Sequence, residues 1–145
     1  MTTGPSSFVY PEGTLGEVLG FEHLSSSEER ATARFEVATK HRQPFGLVHG
    51  GVYAALAEGL ASEATARAVA RDGMTAQGMS NNLSFLRPVF GGTVHAEAIR
   101  RHRGRTTWVW DVDMTDDEGR LCATSRLTIA VRPMPEELKA QLGLA

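Results

Sequence analysis

One carboxylate stands apart from the other charged residues of the longest helical segment in the sequence. At about 100° per residue, Glu63, Arg67 and Arg71 follow one another along one side, where they can pair in solvent. Glu58 projects roughly opposite them, and its neighbours there are small residues: Gly51, Ala54, Ala55, Ala61, Ser62 and Thr65. From spacing alone, two plainer explanations carry more weight than catalysis: close approach of another helix, or simple surface exposure.

Glycines mark the start of the same segment. His49, Gly50 and Gly51 stand where the helix begins, so free backbone amides and the positive end of the helix dipole are available to a polarised oxygen. These amides could polarise a carbonyl, and Glu58, two turns further along, could supply a base or nucleophile beside it. The combination predicts attack on a carbonyl compound and shifts the balance towards catalysis.

The elements that must position these groups are one helix and several strands. The helix is predicted from about His49 to Arg71, because this alanine-rich run lacks proline and ends at Asp72-Gly73. Residues 14–24 fit a short helix or a first strand, and residues 30–37 alternate as a half-buried strand. Four further strands are predicted over residues 77–86, 93–102, 106–115 and 120–131, followed by a short helix over residues 136–142.

Short connections with turn glycines predict that the last four strands are antiparallel neighbours. Trp108, Trp110, Val112 and Met114 share one face of their strand and require burial, and the only large apolar partner is the central helix. The fold class is therefore α+β, an antiparallel sheet wrapped around one long helix.

Length and composition limit the class of protein. The 145 residues suit one domain, residues 1–145, with a flexible lead-in over residues 1–13. A formal net charge of -2 gives no bulk attraction to nucleic acid or to an anionic membrane. Cys122 is the only cysteine, and no signal peptide or membrane span is apparent, so a cytoplasmic protein is predicted.

No metal site is predicted. The histidines show no two-ligand spacing with a nearby acid or cysteine; they are His23, His41, His49, His95 and His102. Fingerprints of serine hydrolases, phosphate-binding loops and dinucleotide-binding folds are missing from the sequence as well.

Several segments together resemble a known family. They are Gln43 to Gly51, Ala55 to Glu58 with Ser62, Ser80 to Pro88, Thr106 to Trp108, Gly119 to Ala123, and Arg132-Pro133. This pattern resembles the hotdog-fold thioesterases related to the phenylacetate-pathway and 4-hydroxybenzoyl-CoA enzymes, in the branch with a glutamate on the helix. The likeness covers most of the chain after about residue 14.

The resemblance implies hydrolysis of an aromatic or medium-sized acyl-CoA to free acid and coenzyme A. The Gly50 amide would polarise the thioester carbonyl, and Glu58 would act as nucleophile or as general base for water. Ser62 would hold the attacking water, a place where close relatives often have threonine, and Gln43 would assist near the thioester.

Further positions follow from the same resemblance. His49 would line the acyl site, although helix capping explains it equally well, and Arg87, Arg105 and Thr106 would lie near coenzyme A. Relatives tend to have a small hydroxyl residue at Arg105, which puts its contact in doubt. Arginine forks suit the phosphates of coenzyme A.

No cofactor is implied, since coenzyme A belongs to substrate and product. The resemblance also implies a homodimer or homotetramer with active sites between subunits. Two alternatives stand beside hydrolysis: a non-catalytic acyl-CoA binding module, against which Glu58 beside Ser62 argues, and a hydratase or dehydratase of the same fold. The latter needs an acid with a histidine over the acyl chain, and His49 is nine residues from Glu58.

Overall fold

The computed structural model describes residues 9–144, so residues 1–8 of the predicted flexible lead-in lie outside the described range. In chain order the elements are α1 (Leu15–Val18), β1 (Glu22–Ser26), β2 (Arg30–Glu36), α2 (Gly50–Val69), β3 (Met74–Phe85), β4 (Thr93–Arg103), β5 (Thr107–Thr115), β6 (Leu121–Pro133) and α3 (Glu136–Gln141). Short 3-10 turns span Thr39–His41 and Ala70–Asp72. The ambiguous residues 14–24 thus contain the short helix and the start of the first strand.

Six antiparallel strands form one sheet in the order β1-β2-β4-β5-β6-β3. The prediction that all four late strands are sequential neighbours is wrong for β3 and β4, because β3 pairs with β6. The connection over residues 86–92 instead passes the start of α2. There the Val48 N–H donates to Val89 O at 2.8 Å, and Arg42 donates to Phe90 O at 2.9 Å.

The core lies between α2 and the face of the sheet that wraps it. Trp108, Trp110, Val112 and Met114 are all buried, as their alternation predicts. The indole N–H of Trp110 donates to Thr65 Oγ1 at 2.9 Å and that of Trp108 to Gly104 O at 3.1 Å, so both indole N–H groups of this face are satisfied. The predicted α+β class, a sheet wrapped around one long helix, is confirmed, and this is the arrangement expected of the hotdog fold.

A polar bridge joins the middle of α2 to the sheet. Asn81 of β3 donates from Nδ2 to Ala54 O at 3.0 Å, and its Oδ1 accepts from Ser125 Oγ at 2.6 Å. Ser125, which interrupts the apolar face of β6, is 3 % exposed. The bridge fixes α2 against β3 and β6, because a buried amide is stable only with its partners in place.

Glu63 departs from the solvated face that its spacing predicts. Its side chain is only 10 % exposed, because its Oε2 lies 3.5 Å from Nδ1 of His23 in β1. It does form the predicted i,i+4 pair with Arg67, at 3.1 Å. The i,i+4 spacing within α2 predicts the pair between Glu63 and Arg67, but it cannot predict that β1 covers Glu63.

None of the helices formed by residues 9–144 has the length and apolar character needed to cross a membrane.

Candidate active site

The first turn of α2 carries an available amide. His49 caps the helix, since its Nδ1 accepts from the Gly51 N–H at 2.8 Å. Among residues 9–144, nothing accepts a hydrogen bond from the Gly50 N–H. This donor sits at the positive end of a 20-residue helix, where a developing negative charge is stabilised.

A cavity of about 360 Å³ opens beside this amide. Its walls come from the loop before α2, the first turn of α2 and the segment after β3, and its lining residues are Gln43, Leu47, Val48, Gly50, Tyr53, Phe85, Leu86, Arg87, Pro88 and Val89. Three of the residues predicted to form the site, Gln43, Gly50 and Arg87, therefore share one cavity. Its volume lies in the lower part of the range usual for small-molecule sites, about 300 to 1,000 Å³.

Gln43 offers a second donor to the cavity. Its Oε1 is already used, because it accepts a hydrogen bond from the Phe45 N–H within the same turn. The turn is closed by the Gln43 N–H, which donates to Leu47 O at 2.9 Å. The side-chain amide nitrogen of Gln43 is thus the group left to meet a ligand oxygen, together with the Gly50 N–H.

Phe85 explains why residue 50 has no side chain. A Cβ on Gly50 would lie 2.7 Å from Cζ of Phe85, closer than real Cβ contacts. Phe85 is nevertheless 59 % exposed, so its ring covers the helix start without belonging to the core. The sequence patterns did not single out Phe85 or its cavity neighbour Tyr53, because both contacts depend on the path of the segment after β3.

The carboxylate of Glu58 lies against β3. The residue is exposed, and its Oε1 lies 3.1 Å from the point that a Cβ on Gly78 would occupy. One turn further along α2, Ser62 Oγ is buried and has no hydrogen-bond partner among the described residues. Carboxylate and hydroxyl follow at the i,i+4 spacing that places them on one face.

A β-bulge accompanies this contact. Gly78 and Ser80 of β3 pair with the consecutive residues Ile129 and Thr128 of β6, so Met79 between them is an extra residue without a partner in β6. Such bulges bend a strand locally and re-aim nearby groups, and they occur often beside active sites. The small residue and the bulge together leave room for the Glu58 side chain.

Within one chain the amide and the carboxylate stay apart. Eight residues separate Gly50 from Glu58 along a regular helix, which corresponds to about 12 Å at 1.5 Å per residue. The expectation that both groups act on the same carbonyl is therefore not met by a single chain.

The predicted coenzyme A residues divide in the same way. Ala130 of β6 pairs with Thr107 of β5 on one side and with Gln77 of β3 on the other. Arg105 and Thr106, which directly precede Thr107, therefore lie near the Gly78 end of β3. Arg87 follows the other end, since β3 runs from Gly78 to Phe85 over about 23 Å at 3.3 Å per residue. We name Gln43, His49, Gly50 and Arg87 the amide half-site, and Glu58, Ser62, Arg105 and Thr106 the carboxylate half-site.

Titratable groups do not gather into a metal site. Within residues 9–144, no group of three or more His, Cys, Asp or Glu side chains is arranged to hold an ion.

Comparison with known proteins identifies the family. The Thioesterase superfamily matches residues 45–123. The chain is 41 % identical over 119 residues to the proofreading thioesterase EntH of Cronobacter turicensis, covering 82 % of this chain and 86 % of that protein. It is 38 % identical over 118 residues to a 1,4-dihydroxy-2-naphthoyl-CoA hydrolase of Listeria monocytogenes, covering 81 % and 95 %.

A solved structure extends the likeness to the fold. The crystal structure of a thioesterase from Haemophilus influenzae matches with a TM-score of 0.80 and 37 % identity, over 86 % of this chain and 87 % of that one. Fold, matched region and named relatives agree, and the chain belongs to the thioesterase superfamily, as a thioester hydrolase.

Proposed function

We propose that this protein hydrolyses an aromatic or medium-sized acyl-CoA to the free acid and coenzyme A. The observation that carries the proposal is the compact cavity with two available donors, the Gly50 N–H and the side-chain amide of Gln43. Two donors aimed at one carbonyl oxygen form an oxyanion hole, which stabilises the charge that develops during attack on a thioester. The Listeria relative is named for an aryl-CoA substrate and the Cronobacter relative is named a thioesterase, and both names support this class of reaction.

The second half of the machinery comes from another copy of the chain. Because about 12 Å separates Gly50 from Glu58 along α2, the amide half-site of one subunit needs the carboxylate half-site of its partner. β3 supports this arrangement, since among the strands of residues 9–144 it is an edge strand paired with β6 alone, and it carries the half-exposed Met79. The assembly is a homodimer, or a homotetramer built from such dimers.

Glu58 attacks the thioester or activates water for that attack. As nucleophile, its oxygen bonds to the carbonyl carbon, the C–S bond breaks, coenzyme A leaves as thiolate, and water then cleaves the mixed anhydride. As general base, it takes a proton from water while the water oxygen bonds to the carbonyl carbon, and the C–S bond then breaks so that coenzyme A leaves as thiolate. Both routes yield free acid and, after protonation of the thiolate, coenzyme A.

Arg87, Arg105 and Thr106 contact coenzyme A in this proposal. The first belongs to the amide half-site and the others to the carboxylate half-site, so a ligand between two subunits can meet all three. The proposal requires no cofactor, and a cytoplasmic location, where coenzyme A esters occur, stays a prediction of the sequence.

The alternatives lack support from the geometry. A hydratase needs a histidine placed for proton transfer, and the Nδ1 of His49 is engaged in capping α2. A binding module has no need of a carboxylate beside an unpartnered hydroxyl, such as Glu58 and Ser62.

A thiol-release assay over aryl, phenylacetyl and straight-chain acyl-CoA esters tests the proposal. We expect turnover of at least one aromatic or medium-length ester, with acid and coenzyme A formed in equal amounts. Binding of these esters without thiol release would contradict it and favour the binding module.

A further inference from the structure

One hydrogen bond from the edge strand β3 reaches α2 between the two predicted catalytic positions. Asn81 donates from Nδ2 to the carbonyl oxygen of Ala54 at 3.0 Å. Ala54 lies four residues after Gly50 and four residues before Glu58, so these residues follow one another along one face of the helix. The bond therefore holds α2 midway between the two groups for which the proposed function needs a defined place.

The acceptor of this bond is linked to Glu58 through the helix backbone. In a regular α-helix the carbonyl of residue 54 accepts the N–H of residue 58, and α2 is α-helical from Gly50 to Val69. The oxygen that Asn81 holds is thus the oxygen that receives the Glu58 N–H. A shift of this carbonyl relative to β3 moves the backbone from which the carboxylate projects.

The carboxylate itself meets the same strand a short way before Asn81. Gly78 lies three residues before Asn81, and Glu58 Oε1 lies 3.1 Å from the point that a Cβ on Gly78 would occupy. The bulge at Met79 lies between these two contacts. Because a strand bends at a bulge, the Gly78 contact alone does not fix the distance between strand and helix. Asn81 supplies a second point of attachment beyond the bend.

The amide of Asn81 has one orientation. Its Oδ1 accepts from Ser125 Oγ at 2.6 Å, and Ser125 is buried on β6. A carbonyl oxygen can only accept, so the NH2 group of the amide must face Ala54 and its oxygen must face Ser125. Both ends of this side chain are therefore fixed. A leucine at residue 81 would be of similar size but could not make either hydrogen bond.

A different hydrogen bond joins α2 to the sheet further along the helix. The Trp110 indole N–H donates to Thr65 Oγ1 at 2.9 Å, and Thr65 is fully buried. The Thr65 hydroxyl donates in turn to Ala61 O within the helix at 2.8 Å. This bond ends on a side chain seven residues after Glu58. It stabilises the packing of the helix on the sheet without touching the carbonyl that accepts the Glu58 N–H.

We propose that Asn81 is a positioning residue for catalysis, which holds the Glu58 carboxylate in place relative to β3 through the Ala54 carbonyl. This inference rests on the proposed function, in which Glu58 attacks the thioester or activates water. Asn81 acts on the attacking group and not on the bound ester. Its loss therefore lowers kcat and leaves KM nearly unchanged, because small misplacement of a catalytic group slows the reaction more than it weakens binding.

Two variants separate positioning from stability, with kcat and KM measured by thiol release from the acyl-CoA ester that wild type hydrolyses fastest. Asn81→Leu removes the bond to Ala54 and leaves the Ser125 hydroxyl without its acceptor, so both kcat and Tm should fall. Asn81→Leu combined with Ser125→Ala removes both polar partners, and its Tm should return towards that of wild type. Its kcat should stay about tenfold or more below wild type, with KM within about threefold, because the Ala54 carbonyl is still not held.

Thr65→Val is the matched control. It keeps the shape of the side chain and leaves the Trp110 indole N–H without its acceptor, so its Tm should fall as that of Asn81→Leu does. Its kcat should stay within about threefold of wild type, because the bond from Asn81 to Ala54 is intact.

Recovery of kcat together with Tm in the double variant would overturn the proposal, since Asn81 would then matter for stability alone. The same conclusion follows if Thr65→Val lowers kcat as much as Asn81→Leu, or if loss of Asn81 raises KM and leaves kcat unchanged. Should Asn81→Leu not fold, the double variant decides, because it lacks the unpartnered Ser125 hydroxyl. Each of these results leaves thioester hydrolysis standing, whereas no thiol release by wild type from any ester of the acyl-CoA panel would sink the proposed function.

Discussion

Glu58 combines solvent access with a defined position, which is unusual for a surface carboxylate on a helix. It is exposed and yet lies against the backbone of β3 at Gly78. The other well-placed acid of α2, Glu63, is held by Arg67 and faces His23, so it is already neutralised. Of these two carboxylates, only Glu58 is left for chemistry.

Glu58→Ala should remove activity and leave the fold intact. Alanine suits the helix, and a positioned base typically contributes about 10²- to 10⁴-fold to the rate. Steady-state thiol release and far-UV circular dichroism measure the two effects. Glu137→Ala, which removes an exposed acid from α3, is the control and should retain full activity. Hydrolysis by Glu58→Ala within tenfold of wild type would refute the assignment.

Ser62 tests whether a hydroxyl or only its volume matters beside Glu58. Its Oγ is buried and unpartnered among the described residues. Ser62→Ala should lose activity roughly 2- to 13-fold, the equivalent of about 0.5 to 1.5 kcal/mol for one neutral hydrogen bond. Ser62→Thr should keep most of the rate. If folded Ser62→Ala were as inactive as Glu58→Ala, Ser62 would have a primary catalytic role.

At the scale of elements, the edge strand β3 positions the carboxylate. Gly78 leaves the space that Glu58 fills, and the bulge at Met79 bends the strand beside it. A side chain at residue 78 must displace the carboxylate by a few tenths of an ångström, or shift the strand.

Gly78→Ala should therefore lower kcat about tenfold or more with little change in KM, because small misplacement of a catalytic group is costly. Gly91→Ala is the control, since a Cβ there meets nothing within 4 Å and the residue lies in the loop after β3. Steady-state kinetics and thermal unfolding of both variants distinguish a misplaced Glu58 carboxylate from a loss of fold stability. Equal kcat values in the two variants would show that Gly78 does not position Glu58.

In the proposed function, the first turn of α2 supplies the oxyanion donor as the Gly50 N–H, which a proline at residue 50 removes. Gly50 is the first helical residue, a position that proline tolerates, and His49 before it has ψ of 133°, compatible with a following proline. Gly50→Pro should lower kcat about 10²- to 10³-fold relative to Gly50→Ala, which adds the same Cβ against Phe85 and keeps the N–H. Comparable kcat values for Gly50→Pro and Gly50→Ala would exclude the Gly50 N–H as a catalytic donor.

At the scale of the whole molecule, one chain carries both halves of a site but does not join them. The cavity with its two donors lies at the start of α2, while Glu58 and Ser62 lie about 12 Å or more further along the helix. In the proposed function, activity therefore depends on assembly, and two different defects should complement each other.

Mixing Glu58→Ala with Gly50→Pro subunits tests this dependence. After joint unfolding and refolding, random assortment gives about one quarter of sites an intact Gly50 from one chain and an intact Glu58 from another, in dimers or tetramers. We expect thiol release near that fraction of the wild-type rate, whereas each variant refolded alone stays inactive. A mixture as inactive as its components would show that each site is built within one chain.

The sequence by itself determined the elements and the chemically distinctive residues. Apolar periodicity within each segment is a local property, so the central helix and the five clear strands were predicted to within a few residues. The alternation from Trp108 to Met114 identified the buried face of β5. Glu58 stands out by its place on the helix, and the roles of Glu58 and Gly50 follow from the resemblance to the hotdog thioesterases.

Only the tertiary structure decided which distant segments meet. Local spacing predicts neither that β3 pairs with β6 nor that β1 covers Glu63. Likewise, the segment after β3 passes the start of α2, and Tyr53, Phe85 and Gly50 line one cavity there. These contacts depend on how side-chain volumes fill the space between a curved sheet and its helix, and that is a property of the packed chain as a whole.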